Sequence, residues 1–284
     1  MPTTYRLLTA CPDRSGIVAR VTSFIANYNC SISDASHHSD HASGWFFARY
    51  EIQADSFPLD LETFRKAFGP IATEFGMRWR IADSSQKKRV IVMASKQSHC
   101  IADLLHRWHR GELDCEIPCV ISNHESLRSM VEWHQIPFHC VPIGRDNKEA
   151  AFEEIQSLVD AACATSIVLA RYMQILPPEL CERFPADIIN IHHSFLPSFV
   201  GAKPYHQASA RGVKLIGATC HYVTAELDAG PIIEQDVVRI SHRDQIGDMV
   251  RKGKDCEMVV LARGVRAHLE DRVLVHGNKT VVFD

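Results

Sequence analysis

The sequence has no apolar stretch approaching the roughly 18 residues that a membrane-spanning helix needs. Its first residues, Met1-Pro-Thr-Thr-Tyr-Arg-Leu-Leu, lack the basic-then-apolar run of a secretory signal. A soluble, cytoplasmic protein is therefore expected, with no membrane partner. A basic cluster is absent too: 31 Lys and Arg stand against 34 Asp and Glu, a formal charge of -3. No surface is set aside to neutralise phosphates, which argues against nucleic acid as a partner. The ten cysteines include no C-x-x-C pair and read as reduced, buried, small hydrophobes. Nor is there a composition of disorder: of 284 residues 46% are hydrophobic and 23% charged, an ordinary globular balance long enough for about two domains. A small-molecule function leads.

What is present begins with 16 histidines. The densest group, His37-His38-Ser39-Asp40-His41, falls in an expected loop between two strands. A metal site there would need a further anchored ligand; the plainer reading is a solvated hairpin connection, and no metal is expected.

Two patterns divide the chain. Up to residue 83 the periodicities give a strand at Tyr5 to Thr9, a helix carrying Ile17, Val21, Phe24 and Ile25, strands at Ser31 to Ala35 and Phe46 to Ile52, a helix carrying Leu61, Phe64, Phe68 and Ile71, and a strand at Met77 to Ile81. This βαββαβ order is that of a ferredoxin-like unit. Residues 83 to 88 are polar and aperiodic, a linker between a domain at 1–83 and another at 84–284. Beyond it, strands at Arg89 to Ala94, Glu116 to Ser122, Phe138 to Val141, Ser166 to Ala170 and Ile188 to His192 alternate with helices. That alternation predicts an α/β, Rossmann-like, mainly parallel sheet, and such sheets bind ligands beyond the carboxyl ends of their strands. Trp108 and Trp133 sit at helical core spacing and need no functional explanation.

The chemistry is densest just past the last of these strands, in Asn190-Ile-His-His-Ser-Phe-Leu-Pro-Ser-Phe-Val-Gly201, with Thr219-Cys-His-Tyr-Val and Glu226-Leu-Asp-Ala-Gly-Pro231 downstream. Side chains two apart on a strand share a face, so Asn190 and His192 point together. An amide donor and an imidazole so placed can hold an oxyanion. Asp228, in a turn, can keep the imidazole charged or take a proton.

This run resembles the folate-dependent formyltransferase fold, whose Asn-x-His strand, Leu-Pro-Ser-Phe turn and Asp-x-Gly loop match Asn190-Ile-His192, Leu196 to Phe199 and Asp228-Ala-Gly230. The resemblance covers nearly all of residues 88 to 284. It implies that Asn190, His192 and Asp228 are the catalytic trio. It also implies a cis Leu196–Pro197 bond and a folate pocket beside Ala170 to Met173 and under Val223 to Asp228, with much of the pterin read by backbone groups. The implied substrate contacts are Arg171, Met173, Gly201, Val223, Thr224, Ala225, Glu226 and Leu227, with His221 in support. His193, on the opposite face of the strand, is either packed or positions water. Lys203, Tyr205 and His206 belong to a loop that either closes the site or is solvated.

The loop after the first strand of this region, Ala94-Ser95-Lys96-Gln97-Ser98-His99-Cys100, has no glycine. Glycinamide-ribonucleotide formyltransferases hold their substrate phosphate there on backbone amides of a Gly-rich loop. Methionyl-tRNA formyltransferases append a basic domain after the catalytic one, the reverse of the order here. The first 83 residues resemble an ACT domain, a ligand-binding regulatory module, with Asp13-Arg-Ser-Gly16 at its strand-to-helix turn. ACT followed by a formyltransferase fold resembles the architecture of 10-formyltetrahydrofolate deformylases, as do His192-His193-Ser194-Phe195 and Gly201 to His206. The activity so implied is hydrolysis of 10-formyltetrahydrofolate to formate and tetrahydrofolate, with no metal or redox cofactor. An amino-acid effector, glycine or methionine, held near Asp13 and Gly16 in a homo-oligomer is implied as well. The alternatives are a formyltransferase with an amine acceptor and a catalytically silent folate or amino-acid sensor.

Overall fold

The structure, a computed structural model, describes residues 3–198 and 204–284. It divides into two compact units, one of residues up to Lys87 with Glu270–His276 and Val281–Asp284, the other of Lys88–Leu269 with Gly277–Thr280.

In the first unit the chain forms β1 (Thr4–Pro12), α1 (Ile17–Asn27), β2 (Ile32–Asp40), β3 (Trp45–Gln53), α2 (Leu61–Phe75) and β4 (Arg78–Asp83). The sheet runs β2-β3-β1-β4 and every pair is antiparallel. Alternation decides its two faces. Leu7 and Cys11 of β1 and Phe46, Ala48, Tyr50 and Ile52 of β3 meet Ile17, Val21, Phe24 and Ile25 of α1 and Phe64, Phe68 and Ile71 of α2. Asp60 caps α2 by accepting from the Thr63 amide at 2.7 Å, and Gly76, at φ 61°, ends it in the left-handed region.

Two expectations change here. The histidine run is not a loop: β2 continues to Asp40, pairing His37 with Ala48 and His38 with Phe47. The turn comes only at residues 41–44, closed by Gly44 at φ 68°. Neighbours on a strand face opposite ways, so His37 and His38 cannot share a ligand. The second change concerns the C-terminus, assigned by the sequence to the second domain. The other face of the sheet is also apolar, and Leu8, Ala10 and Phe47 are covered by Leu274 and Phe283. Asp271, 3% exposed, pairs with Arg6 at 3.3 Å and Arg80 at 2.7 Å, and buried Arg49 donates to the Asp271 and Glu270 carbonyls. A buried carboxylate needs such partners to remain charged.

The second unit contains β5 (Lys88–Ala94), α3 (His99–His109), β6 (Cys115–Glu116), β7 (Val120–Ser122), α4 (Arg128–Trp133), β8 (Phe138–Cys140), α5 (Lys148–Ala161), β9 (Ser166–Ala170), α6 (Pro178–Arg183), β10 (Ile188–His192), α7 (Pro204–Arg211), β11 (Leu215–Tyr222), β12 (Ile232–Arg239) and α8 (Ile246–Leu269). The expected single strand over 116–122 is split into β6 and β7. Pro118 lies between them, and proline has no amide hydrogen for a ladder. The sheet order is β12-β11-β10-β9-β5-β7-β8, with β6 beside β5. Five of the seven strands on that path are parallel, and β11 and β12 join antiparallel.

Ile91, Met93, Ile167, Leu169 and Ile188 face Ile155 and Val159 of α5 and Leu180 of α6. Ser166 faces the other way, its hydroxyl 2.9 Å from His268 Nε2, which places α8 on the opposite side. Trp133, expected in the core, is 72% exposed. Helix α4 is so short that Val131 alone is its buried residue, and the indole instead meets His134 edge-on at 4.7 Å.

Candidate active site

The carboxyl ends of β9 and β10 open onto a cavity of about 480 Å³. Ile188, Asn190 and His192 share one face of β10. Ile188 is sealed in the core, while Asn190 and His192 line the cavity. Antiparallel pairing sets Asn190 opposite His221 of β11, so their side chains lie together. Asn190 Nδ2 is 3.3 Å from His221 Nε2. His221 Nδ1 lies 2.9 Å from the Tyr222 carbonyl, to which it donates. Burial lowers the His221 pKa, so the neutral ring presents a bare Nε2 that accepts from the Asn190 amide. A β-bulge at Cys220/His221 lets β11 carry this ring out of register with β12.

Asp228 stands in the left-handed region at φ 54°, an unusual place for a residue with a side chain. Its Oδ2 is 3.3 Å from His192 Nδ1 and its Oδ1 is 3.8 Å from His221 Nε2. The hydrogen bond from His192 outweighs burial and holds the Asp228 carboxyl below the usual carboxylate range. With Nδ1 committed to Asp228, His192 Nε2 is buried and has no hydrogen-bond partner. His193, expected on the opposite face of the strand, instead follows the end of β10 with its ring 5.1 Å from that of His192; burial, with Arg171 and His192, pushes its pKa down to about 4, and it is neutral at physiological pH.

The expected contacts mostly converge. Arg171, Met173, His221, Val223, Thr224, Ala225 and Leu227 all line the cavity. Glu226 does not: its side chain is exposed, and its carbonyl accepts from the Thr224 hydroxyl at 3.1 Å. Gly201 and Lys203 lie outside the described residues. Leu196–Pro197 is cis. Asp13 and Gly16 belong to the first unit, where Gly16, at φ 92°, opens α1 with no side-chain cap and the Asp13 amide donates to the Gly44 carbonyl at 2.8 Å.

Tyr172, within the segment expected beside the pocket, lines it too, and the sequence reading missed Ile175, Leu176 and Cys181, which add to the apolar wall. Met173, Ile175 and Leu227 are 57%, 59% and 62% exposed, an apolar mouth suited to a flat aromatic ligand. Their signal was large apolar residues outside any periodic segment. Also missed was buried Glu257 of α8, which meets His99 Nε2 at 2.7 Å, Tyr205 Oη at 2.9 Å and Arg171 Nε at 3.3 Å. Ligand atoms of His99, Cys100 and Glu257 cluster within 4.8 Å. The carboxylate is already matched by Arg171, however, and burial pushes the Cys100 thiol up, away from the thiolate a metal needs.

The loop carrying Asp228 depends on Gly230, where a Cβ would sit 1.8 Å from the Tyr222 carbonyl oxygen. Overpacking of this kind costs about 1–3 kcal/mol, and misplacing a reacting group by an ångström costs about 10²-fold in rate. Gly230→Ala is expected to lower both Tm and kcat, read by thermal unfolding and steady-state assay. An unchanged Tm with kcat within about twofold of wild type would contradict this packing.

Residues 88–265 match the family model described as Formyl transferase, and residues 5–68 match the ACT domain model. Fold and site thus define a formyl-transferase-type α/β enzyme with an N-terminal ACT domain. The chain belongs to the formyltetrahydrofolate deformylase family. It is 50% identical over 280 residues to the formyltetrahydrofolate deformylase of Synechocystis, covering 99% of this chain and 98% of that protein. The crystal structure of a formyltetrahydrofolate deformylase from Pseudomonas syringae superposes with a TM-score of 0.98 at 69% identity, covering 100% of this chain and 95% of that one. A phosphoribosylglycinamide formyltransferase from Anaplasma phagocytophilum, 30% identical, covers 70% of this chain and 96% of its own, with a TM-score of 0.64.

Proposed function

We propose that the protein hydrolyses 10-formyltetrahydrofolate to formate and tetrahydrofolate in the cytoplasm, with no metal or redox cofactor. The observation that carries the reading is the His192–Asp228 pair, in which both residues line a cavity with an apolar mouth and His192 Nε2 has no hydrogen-bond partner. Water adds to the formyl carbon and negative charge develops on the formyl oxygen; collapse of the adduct then breaks the C–N10 bond, releasing formate while N10 takes up a proton to give tetrahydrofolate. Asn190 and protonated His192 stabilise that oxyanion. Asp228 orients the ring, supports its charge, and positions the water or accepts its proton.

Water rather than an amine is favoured as acceptor by the loop after β5. Ser95 Oγ, buried, lies 2.7 Å from Asn123 Oδ1 and accepts from the Met173 amide at 3.0 Å. None of residues 95–98 has positive φ, and no Gly-rich turn gathers amides there for a phosphate. Incubation with 10-formyltetrahydrofolate as the only organic substrate is expected to yield formate. Adding glycinamide ribonucleotide should neither speed consumption nor give a formylated ribonucleotide. Formylated product formed as fast as formate would favour the transferase instead.

The ACT domain, in this reading, binds an amino acid in a homo-oligomer, with glycine and methionine the first to test. Support comes from the start of α1, where the positive end of the helix dipole has neither a side-chain cap nor an acidic residue in the first turn, so a carboxylate is favoured. The effector is expected to change kcat or KM, and Gly16→Val, which forces a branched residue to φ 92°, to weaken that response. Indifference of the wild-type enzyme to a panel of amino acids would leave the domain structural.

A further inference from the structure

A second chamber, of about 250 Å³, lies behind the active site, and Arg171 and His193 line both. It sits against α8, whose Val250, Lys254 and Glu257 line it. Gln97 and Tyr205 also line it. The Glu257 carboxylate is fully engaged by Arg171, His99 and Tyr205. Room for this arrangement comes from Gly253, one turn earlier, whose Cβ would fall 2.0 Å from Tyr205 Oη. Burial opposes ionisation of Glu257, yet the hydrogen bond from His99 and the charge of Arg171 hold its carboxyl below the usual range. Its charge is thereby matched by Arg171. Lys254, three residues before Glu257 on the same helix face, is half-buried and has no carboxylate partner among the described residues. The chamber therefore carries one cation in excess.

The active-site cavity differs in charge. Ionised Asp228 lines it, and in the deformylase reading its mouth is filled by tetrahydrofolate until that product departs. An anion formed at His192 is repelled on one side and attracted on the other. We propose that the second chamber is the binding site and exit route for the one-carbon carboxylate product, so that formate leaves past Arg171 and Lys254 while tetrahydrofolate is still bound. The proposal rests on the deformylase reading.

In an ordered release, the product that leaves first inhibits noncompetitively against the substrate, whereas the product that leaves last competes with it. Sodium formate is expected to inhibit the full-length enzyme noncompetitively against 10-formyltetrahydrofolate, and tetrahydrofolate competitively. Lys254→Met should raise the formate inhibition constant at least tenfold, leave the single-turnover rate unchanged, and regain tight formate inhibition as Lys254→Arg. Competitive formate inhibition, inhibition no greater than that by equal sodium chloride, or a Lys254→Met constant like that of wild type would overturn the proposal. If no formate is released from 10-formyltetrahydrofolate at all, it is the deformylase reading that fails.

Discussion

Asp228→Asn is expected to lower kcat by roughly 10³-fold or more, with folate affinity kept within about tenfold because the group acts mainly on the transition state. The exchange preserves shape and removes charge. In the native site Oδ2 accepts from His192 Nδ1 at 3.3 Å, which fixes the orientation of the ring and, in the proposed mechanism, supports its charge. An amide in the same place can turn its own N–H toward Nδ1 and reverse the tautomer. The acid side of the pH profile follows from the same contact. Since the hydrogen bond from His192 depresses the Asp228 pKa, the carboxylate stays ionised at pH values below the ordinary Asp value of about 3.9. Its contribution to stability is complete above the unfolded value and is lost as pH falls through the lower folded one. Loss of activity between pH 5 and 7 is therefore not to be assigned to Asp228. Turnover of Asp228→Asn at the wild-type rate, with substrate bound equally well, would remove the carboxylate from the mechanism.

His192→Ala is expected to be at least as damaging, since it deletes the partner of Asp228 and, in the proposed mechanism, the charge that faces the formyl oxygen. A loss of roughly 10³-fold or more is anticipated. Asn190→Ala should lose roughly 10²–10³-fold, the usual cost of one oxyanion donor. In the proposed mechanism the two groups act on the same oxygen, so the double variant should lose far less than the product of the single losses. Multiplicative losses, measured as kcat under saturating substrate, would mean that the residues act on separate steps.

How much of this was legible in the sequence differs from residue to residue. Asn190 and His192 follow from period-two geometry on a recognisable strand, and Asp228 follows from the likeness of its loop to a known pattern. His221 came only from that likeness, because its neighbour across the ladder is set by strand register. Glu257 gave no signal: it is an acidic residue in a long helix, and its partners stand 158, 86 and 52 positions earlier, at His99, Arg171 and Tyr205. Leu274 and Phe283 were assigned to the wrong unit for a similar reason. Nothing local reveals that the second face of an antiparallel sheet is also apolar and needs a cover. The histidine run failed differently, because its polar composition hid a paired edge strand.

The central claim, that water is the acceptor for a formyl group held by Asn190, His192 and Asp228, is tested most directly in H₂¹⁸O. With 10-formyltetrahydrofolate as the only organic substrate, each formate released should carry one ¹⁸O, matched by an equal amount of tetrahydrofolate, and Asp228→Asn should suppress both. Formate free of label, or a formyl group recovered on an amine with no formate released, would contradict the account.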